Sequence, residues 1–199
     1  MKTPFLVLIA FLLTCSVRAQ TWNLEVGNNV TRYVFTNSAG NNPDFLKASS
    51  GLHLGLSREN KLSKAFVYDI GLAYNQYNNV GDVQNIPFSY QADFMGLTGG
   101  IGPSYTGLHG LTVSAKASAA IQGMVSGTQF LQNRYFDLAG DDQFSGLKFS
   151  VGYTFAITKQ VNKQMSVFTS FQHLDTNAFG NSTLNFIPST FSFGIKIAQ

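Results

Sequence analysis

From Trp22 onward the chain alternates large apolar residues with small or polar ones, the period of a strand whose two faces meet different surroundings. Trp22, Leu24 and Val26 interleave with Asn23, Glu25 and Gly27 in a segment running to about Phe35. Leu52, Leu54 and Leu56 alternate with Gly51, His53, Gly55 and Ser57. Phe66, Tyr68, Ile70, Leu72 and Tyr74 oppose Val67, Asp69, Gly71 and Ala73. A fourth strand spans about Phe88 to Tyr105. Its apolar phase shifts from Phe88, Tyr90 and Phe94 to Leu97, Ile101 and Tyr105, which predicts a bulge near Met95-Gly96.

Leu111 to Ile121 and Leu147 to Ile157 repeat the pattern, with Lys116 and Lys148 on the polar side. In the segment Met165 to Leu174, Val167 and Phe171 compete with Phe168 and Leu174 for the apolar face. Phe191, Phe193, Ile195 and Ile197 alternate with Ser192, Gly194 and Lys196. Eight strands are therefore expected, with no helical period among them.

The connections alternate in length. Thr36–Lys47, Asn78–Pro87, Ser126–Gln143 and Asp175–Pro188 are long, whereas Glu59–Ser63, Thr106–Gly110 and Thr158–Gln164 are short. Brief turns at one end and longer loops at the other mark an up-and-down transmembrane barrel, whose turns are periplasmic and loops external. Charge follows the same axis. Asp44, Asp82, Asp137, Asp141, Asp142 and Asp175 fall in the long loops against only Lys47 and Arg134, and Arg58, Lys61, Lys64, Lys159 and Lys163 at the short turns against Glu59.

Side-chain size indicates which face is inside. Eight strands enclose a space only just wide enough for side chains. Rows of Phe, Leu and Ile would overfill it, whereas Gly, Ser, Thr and Ala fit. The bulky face is thus expected to meet lipid and the small polar face the lumen, an eight-stranded antiparallel up-and-down transmembrane β-barrel. Glu25, His53, Asp69, Lys116, Lys148 and Lys196 share the lumenal phase. Isolated charges there are costly, so they are expected to pair in a structural polar network that plugs the lumen. Trp22, Tyr74, Tyr77, Tyr105 and Tyr153 are placed as interfacial belt residues.

The N-terminus adds a destination. Lys2, the apolar run Phe5 to Leu13, and Val17-Arg18-Ala19 read as a signal peptide, residues 1–19, leaving 20–199 as one barrel domain. Without Lys2 and Arg18, 11 of the 13 basic residues stand against 10 acidic ones, which gives no reason to expect a nucleic-acid partner. The single cysteine, Cys15, lies within the signal, so the mature chain has neither disulfides nor thiolate chemistry.

The signal ending in Ala19-Gln20, the eight-strand pattern, the segment Ile101-Gly102-Pro103-Ser104-Tyr105 and the final Phe191 to Ile197 run resemble the outer membrane protein β-barrel domain family. That family includes PorT-like proteins and is similar in architecture to OmpA/OmpX-type barrels. Gly194, Ile195 and Ile197 resemble the C-terminal signal by which such barrels are recognised for insertion, although the chain ends in Ala198-Gln199 and not in an aromatic residue. The resemblance implies the outer membrane of a Gram-negative cell, periplasmic termini, and as partners outer-membrane lipid and the barrel-assembly machinery.

No catalytic, cofactor or metal site is expected. A lipid deacylase would need Ser, His and a carboxylate on one wall near the outer leaflet. His173 lies near Asp175, but Ser170 points to the opposite face. The Asp137, Asp141 and Asp142 group reads as a solvated loop before a calcium site. The expected role is structural, or contact with a surface partner through the long loops, notably Phe130, Leu131, Tyr135 and Phe136. A small channel for ions or apolar solutes, and a soluble lipocalin-like periplasmic carrier, are the alternatives.

Overall fold

The computed structural model describes residues 21–35, 46–83, 86–139, 141–176 and 184–198. The expected signal segment 1–19 lies outside them. Nine strands form among the described residues: β1 (Thr21–Phe35), β2 (Leu46–Lys61), β3 (Phe66–Val83), β4 (Ile86–Thr106), β5 (Leu111–Leu131), β6 (Arg134–Asp137), β7 (Leu147–Gln160), β8 (Met165–Asp175) and β9 (Leu184–Ala198). Every pairing is antiparallel.

Eight of them close into a ring in the order β1-β2-β3-β4-β5-β7-β8-β9, and β9 returns to β1 from Thr21↔Ala198 to Phe35↔Leu184. Closure gives each ring strand two neighbours, so backbone N–H and C=O groups are satisfied without water, as a membrane requires. β6 stands outside the ring. It folds back on β5 through Gln132 and Asn133, both at positive φ (50° and 59°), the backbone of a two-residue hairpin turn.

The wall is apolar outside. Leu24, Val26, Leu54, Leu56, Ile70 and Leu72 are exposed, as are Leu97, Ile101, Val113, Phe155, Ile157 and Phe193. Asn23, His53, Val67, Ala73, Ser114, Lys116, Ser118 and Ser150 between them are buried. Leaving such side chains in water would forgo roughly 1.5–3 kcal/mol apiece, which contact with acyl chains recovers. A continuous apolar exterior far exceeds the patch a soluble monomer exposes. The fold is an eight-stranded transmembrane β-barrel.

Several local expectations are corrected. β4 keeps a single phase: Phe88, Ala92 and Phe94 point inward, in step with Gly102. No bulge falls at Met95-Gly96. The irregularity sits opposite, where Asp93↔Ser126 is followed by Phe94↔Met124 and Val125 is the extra residue. In β8, whose two faces the sequence leaves undecided, Phe168 and Leu174 are buried and Val167 and Phe171 turn outward. Strands also run far into the expected loops. β3 and β4 cover most of Asn78–Pro87, and β5 and β6 cover much of Ser126–Gln143. β2 continues to Lys61, so Glu59 belongs to a strand and not to a turn.

Candidate functional site: the barrel lumen

The end where β2–β3, β4–β5 and β7–β8 connect is termed the turn end, and the opposite one the loop end. Because inward positions recur every second residue, neighbouring strands stack the lumenal side chains into levels along the barrel.

The level nearest the turn end is ionic. Lys116 of β5 reaches over β4 to Asp69 of β3, and its Nζ donates to Glu59 Oε2 of β2 at 2.7 Å. Lys196 of β9 donates to Glu59 Oε1 at 2.9 Å and Oε2 at 3.0 Å. Two lysines thus share two carboxylates drawn from four strands. The next level is a second pair, His53 Nε2 with Glu25 Oε1 at 3.4 Å. Ser192 and Ser170 donate to Glu25 Oε2 at 2.8 and 3.4 Å. Gly55 makes room for this carboxylate, since a Cβ there would lie 2.6 Å from Glu25 Oε1.

Above Glu25 an amide layer follows. His53 Nδ1 lies 2.7 Å from Asn75 Oδ1, and Asn75 Nδ2 donates to Gln122 Oε1 at 3.1 Å. Asn29 Nδ2 donates to Asn75 Oδ1 and to the backbone carbonyl of Gln76, each at 3.3 Å. The Gln76 carbonyl can only accept, so it orients Asn29. Asn29 in turn orients Asn75 with its oxygen toward His53. Both ring nitrogens of His53 therefore face acceptors, an arrangement that suits a doubly protonated ring beside an ionised Glu25. With His53 protonated the two levels are neutral in sum, three cations against three carboxylates. A cavity of about 60 Å³, lined by Glu25, Asp69, Lys116, Thr154, Gln172 and Lys196 among others, runs between these side chains. It is large enough for a few waters.

The loop end is aromatic. Tyr33, Tyr77, Phe94 and Phe186 are buried together with Leu138, Phe144 and Leu184. Tyr33 meets Phe186 edge-on at 4.7 Å between centroids, and Tyr77 packs on Phe94 at 5.1 Å. Tyr77 Oη ties this cluster to the amide layer by donating to Gln122 Oε1 at 2.9 Å. Leu138 and Phe144 come from the segment between β6 and β7, which folds into the mouth. Leu138 N–H donates to Gly127 C=O at 3.1 Å, and Lys148 Nζ donates to Gln143 C=O at 2.8 Å.

Of the six residues assigned to the lumen from sequence, five lie in these two charged levels: Glu25 with His53, and Asp69, Lys116 and Lys196 with one another through Glu59. Lys148 does not join them. Its phase is lumenal, but its register opposite Gln122 sets it too far toward the loop end to reach a carboxylate. Glu59, expected in a turn, is the lumenal residue the sequence reading misses, although its odd-numbered phase continues His53, Gly55 and Ser57. Tyr77 is not a belt residue: it points inward, where Gln122 satisfies its hydroxyl.

Outside the lumen, His173 Nδ1 lies 2.9 Å from Ser189 Oγ on the outer wall, a serine from the neighbouring strand that a search along one strand misses. Asp137 Oδ1 accepts from Ala139 N–H, and Asp141 Oδ1 from Gln143 N–H, each at 2.8 Å, so both carboxylates serve their own loop.

No family model matches the chain, and no curated protein matches it. Among solved structures, the chain resembles Neisserial surface protein A at TM-score 0.50 and 10% identity, covering 88% of this chain and 96% of that one. A major outer membrane protein from Thermus thermophilus aligns at TM-score 0.48 and 12% identity, over 92% and 100%. The outer membrane protein OprG from Pseudomonas aeruginosa aligns at 0.47 and 11%, over 91% and 96%. At such identities the likeness to the Neisserial protein speaks for the fold alone, a small closed ring of eight antiparallel strands.

Proposed function

We propose that this chain is an integral outer-membrane protein of a Gram-negative cell, non-enzymatic, with a closed lumen and a structural or surface-contact role. The supporting observation is the division of the wall: large apolar side chains outside, balanced ion pairs and an aromatic stopper inside. Sequestered ion pairs with few open routes suit a plug. A conducting pore keeps hydrated charge along its length. The turn end then faces the periplasm, with both termini there, and residues 1–19 act as the export signal before the barrel-assembly machinery inserts the domain. Membership of the outer membrane protein β-barrel domain family, PorT-like proteins included, fits the same reading.

Surface contact is assigned to the β5–β6 hairpin, where Tyr135 is 77% exposed and Phe136 46%. A non-enzymatic role is favoured because Ser189 sits in a strand paired on both sides. The amides around it are committed to ladders and leave no donors for an oxyanion. A soluble lipocalin-like carrier is disfavoured because it needs the opposite wall, polar outward.

The membrane fraction tests the location. The folded protein should stay with outer membranes after carbonate washing and change its gel mobility on boiling. Release as a soluble species by osmotic shock would overturn the assignment. Planar-bilayer recording tests the closed lumen, for which no reproducible open state is expected. A stable conductance would favour the small-channel reading, in which the 60 Å³ cavity is part of the path.

A further inference from the structure

The turn end carries an arrangement of charge that a closed lumen does not use. The side-chain carboxylates of this half, Glu25, Glu59 and Asp69, all pair inside the barrel. Lys64 at the β2–β3 turn and Lys159 and Lys163 at the β7–β8 turn stand outside, and Lys61, which carries the inward phase of Glu59 to the end of β2, stands at the open rim, all four exposed. None of the four meets a carboxylate among the described residues. Lys159 Nζ donates instead to the backbone carbonyl of His109 at 2.6 Å. The two turns lie four places apart in the eight-strand ring, so the lysine pairs face opposite sides. The turn tips are apolar beside them: Leu62, Leu108 and Val161 are 62%, 84% and 56% exposed.

We propose that this end is a collar for anionic phospholipid headgroups, the stems of Lys64, Lys159 and Lys163 lying on the apolar rim, Lys61 adding its charge from the mouth, and their ammonium groups reaching the phosphates. The proposal rests on the membrane reading above. The collar continues the lipid-facing wall without a break, and long cationic side chains at such a margin extend to the headgroup level. Cations set on opposite sides do not form one face for a protein. They suit a partner that surrounds the barrel, as a leaflet does. Uncompensated positive charge selects anionic lipid over zwitterionic lipid through an attraction that salt screens.

Trp22, the only tryptophan, reports on the collar because it lies outward at the turn end, opposite Arg58 of β2 and close to the β2–β3 turn. The full chain is refolded into phosphatidylcholine vesicles containing brominated phosphatidylglycerol or, in a parallel set, brominated phosphatidylcholine, and Trp22 quenching is measured. Quenching by brominated phosphatidylcholine reads insertion itself. A preference for phosphatidylglycerol of roughly three- to tenfold at low salt reads the collar. That preference should fall toward unity in about 0.5 M salt, where the screening length is only a few ångströms. It should also fall in K61Q/K64Q, persist in K61R/K64R, and fall less in K159Q/K163Q, whose lysines lie two to three strands from Trp22 around the ring where Lys61 and Lys64 lie one to two.

Quenching without headgroup preference, or a preference indifferent to K61Q/K64Q, would overturn the collar while leaving the membrane reading intact, and the lysines would then be assigned to a protein partner. No quenching by either lipid would overturn both.

Discussion

Lys116 is the side chain on which the ionic level turns. It is 9% exposed and holds two carboxylates that have few other partners. Lys116→Met leaves Asp69 unpaired and Glu59 with Lys196 alone. Removing one member of a buried ion network typically costs about 3–5 kcal/mol, because the charge left behind stays desolvated. Urea unfolding in vesicles should show a loss of that order. Lys196→Met should cost less, since Glu59 keeps Lys116 and Asp69 keeps its partner. Equal midpoints for Lys116→Met and the parent protein would count against the network. Gly55→Ala probes the next level up: the added methyl meets the Glu25 carboxylate, and overpacking of this kind costs roughly 1–3 kcal/mol. The same measurement reads it.

At the scale of elements, the β5–β6 hairpin and the segment after it have separate duties. The turn uses Gln132 and Asn133 in the left-handed region, where Asn-Gly is the favoured dipeptide. Gln132→Asn with Asn133→Gly should therefore stabilise the hairpin, by roughly 1 kcal/mol, the scale of the left-handed penalty for an L-residue. Slower amide exchange across Arg134–Asp137 is the expected signature. The segment beyond it drives Leu138 and Phe144 into the mouth. Phe144→Ala empties a fully enclosed aromatic site and should cost about 3–5 kcal/mol. Thermal unfolding that ignored this change would mean that the mouth is not packed as described.

For the whole molecule, the proposed closure of the lumen would be redundant. The aromatic stopper, the amide layer and the ion pairs lie in series between the two ends. Opening one leaves the others, so Phe144→Ala should remain non-conducting in a planar bilayer despite its loss of stability. Combining it with Lys116→Met removes one part at each end. Only the combination is expected to pass ions, as infrequent brief openings. Steady conductance from Phe144→Ala alone would show that the stopper is the sole barrier.

The alternation of large and small residues determined by itself that strands form, how many span the wall, and which face turns outward. A period of two is local, and an eight-stranded interior is too narrow for two bulky faces. Tertiary structure decided what local period cannot encode. Inward Phe88, Phe94 and Phe186 look like wall residues because they are bulky, but the loop end of the lumen is filled by rings where the turn end is filled by charge. Tyr77 goes inward for the same reason, with Gln122 waiting two strands away. Glu59 looks like a turn residue until the extended β2 carries it inside, and Lys148 shares the lumenal phase without the level of any carboxylate. Phase is written along one strand, whereas level depends on the register between strands and on where each one ends. Those are settled only when β9 closes onto β1 and every backbone group finds its partner.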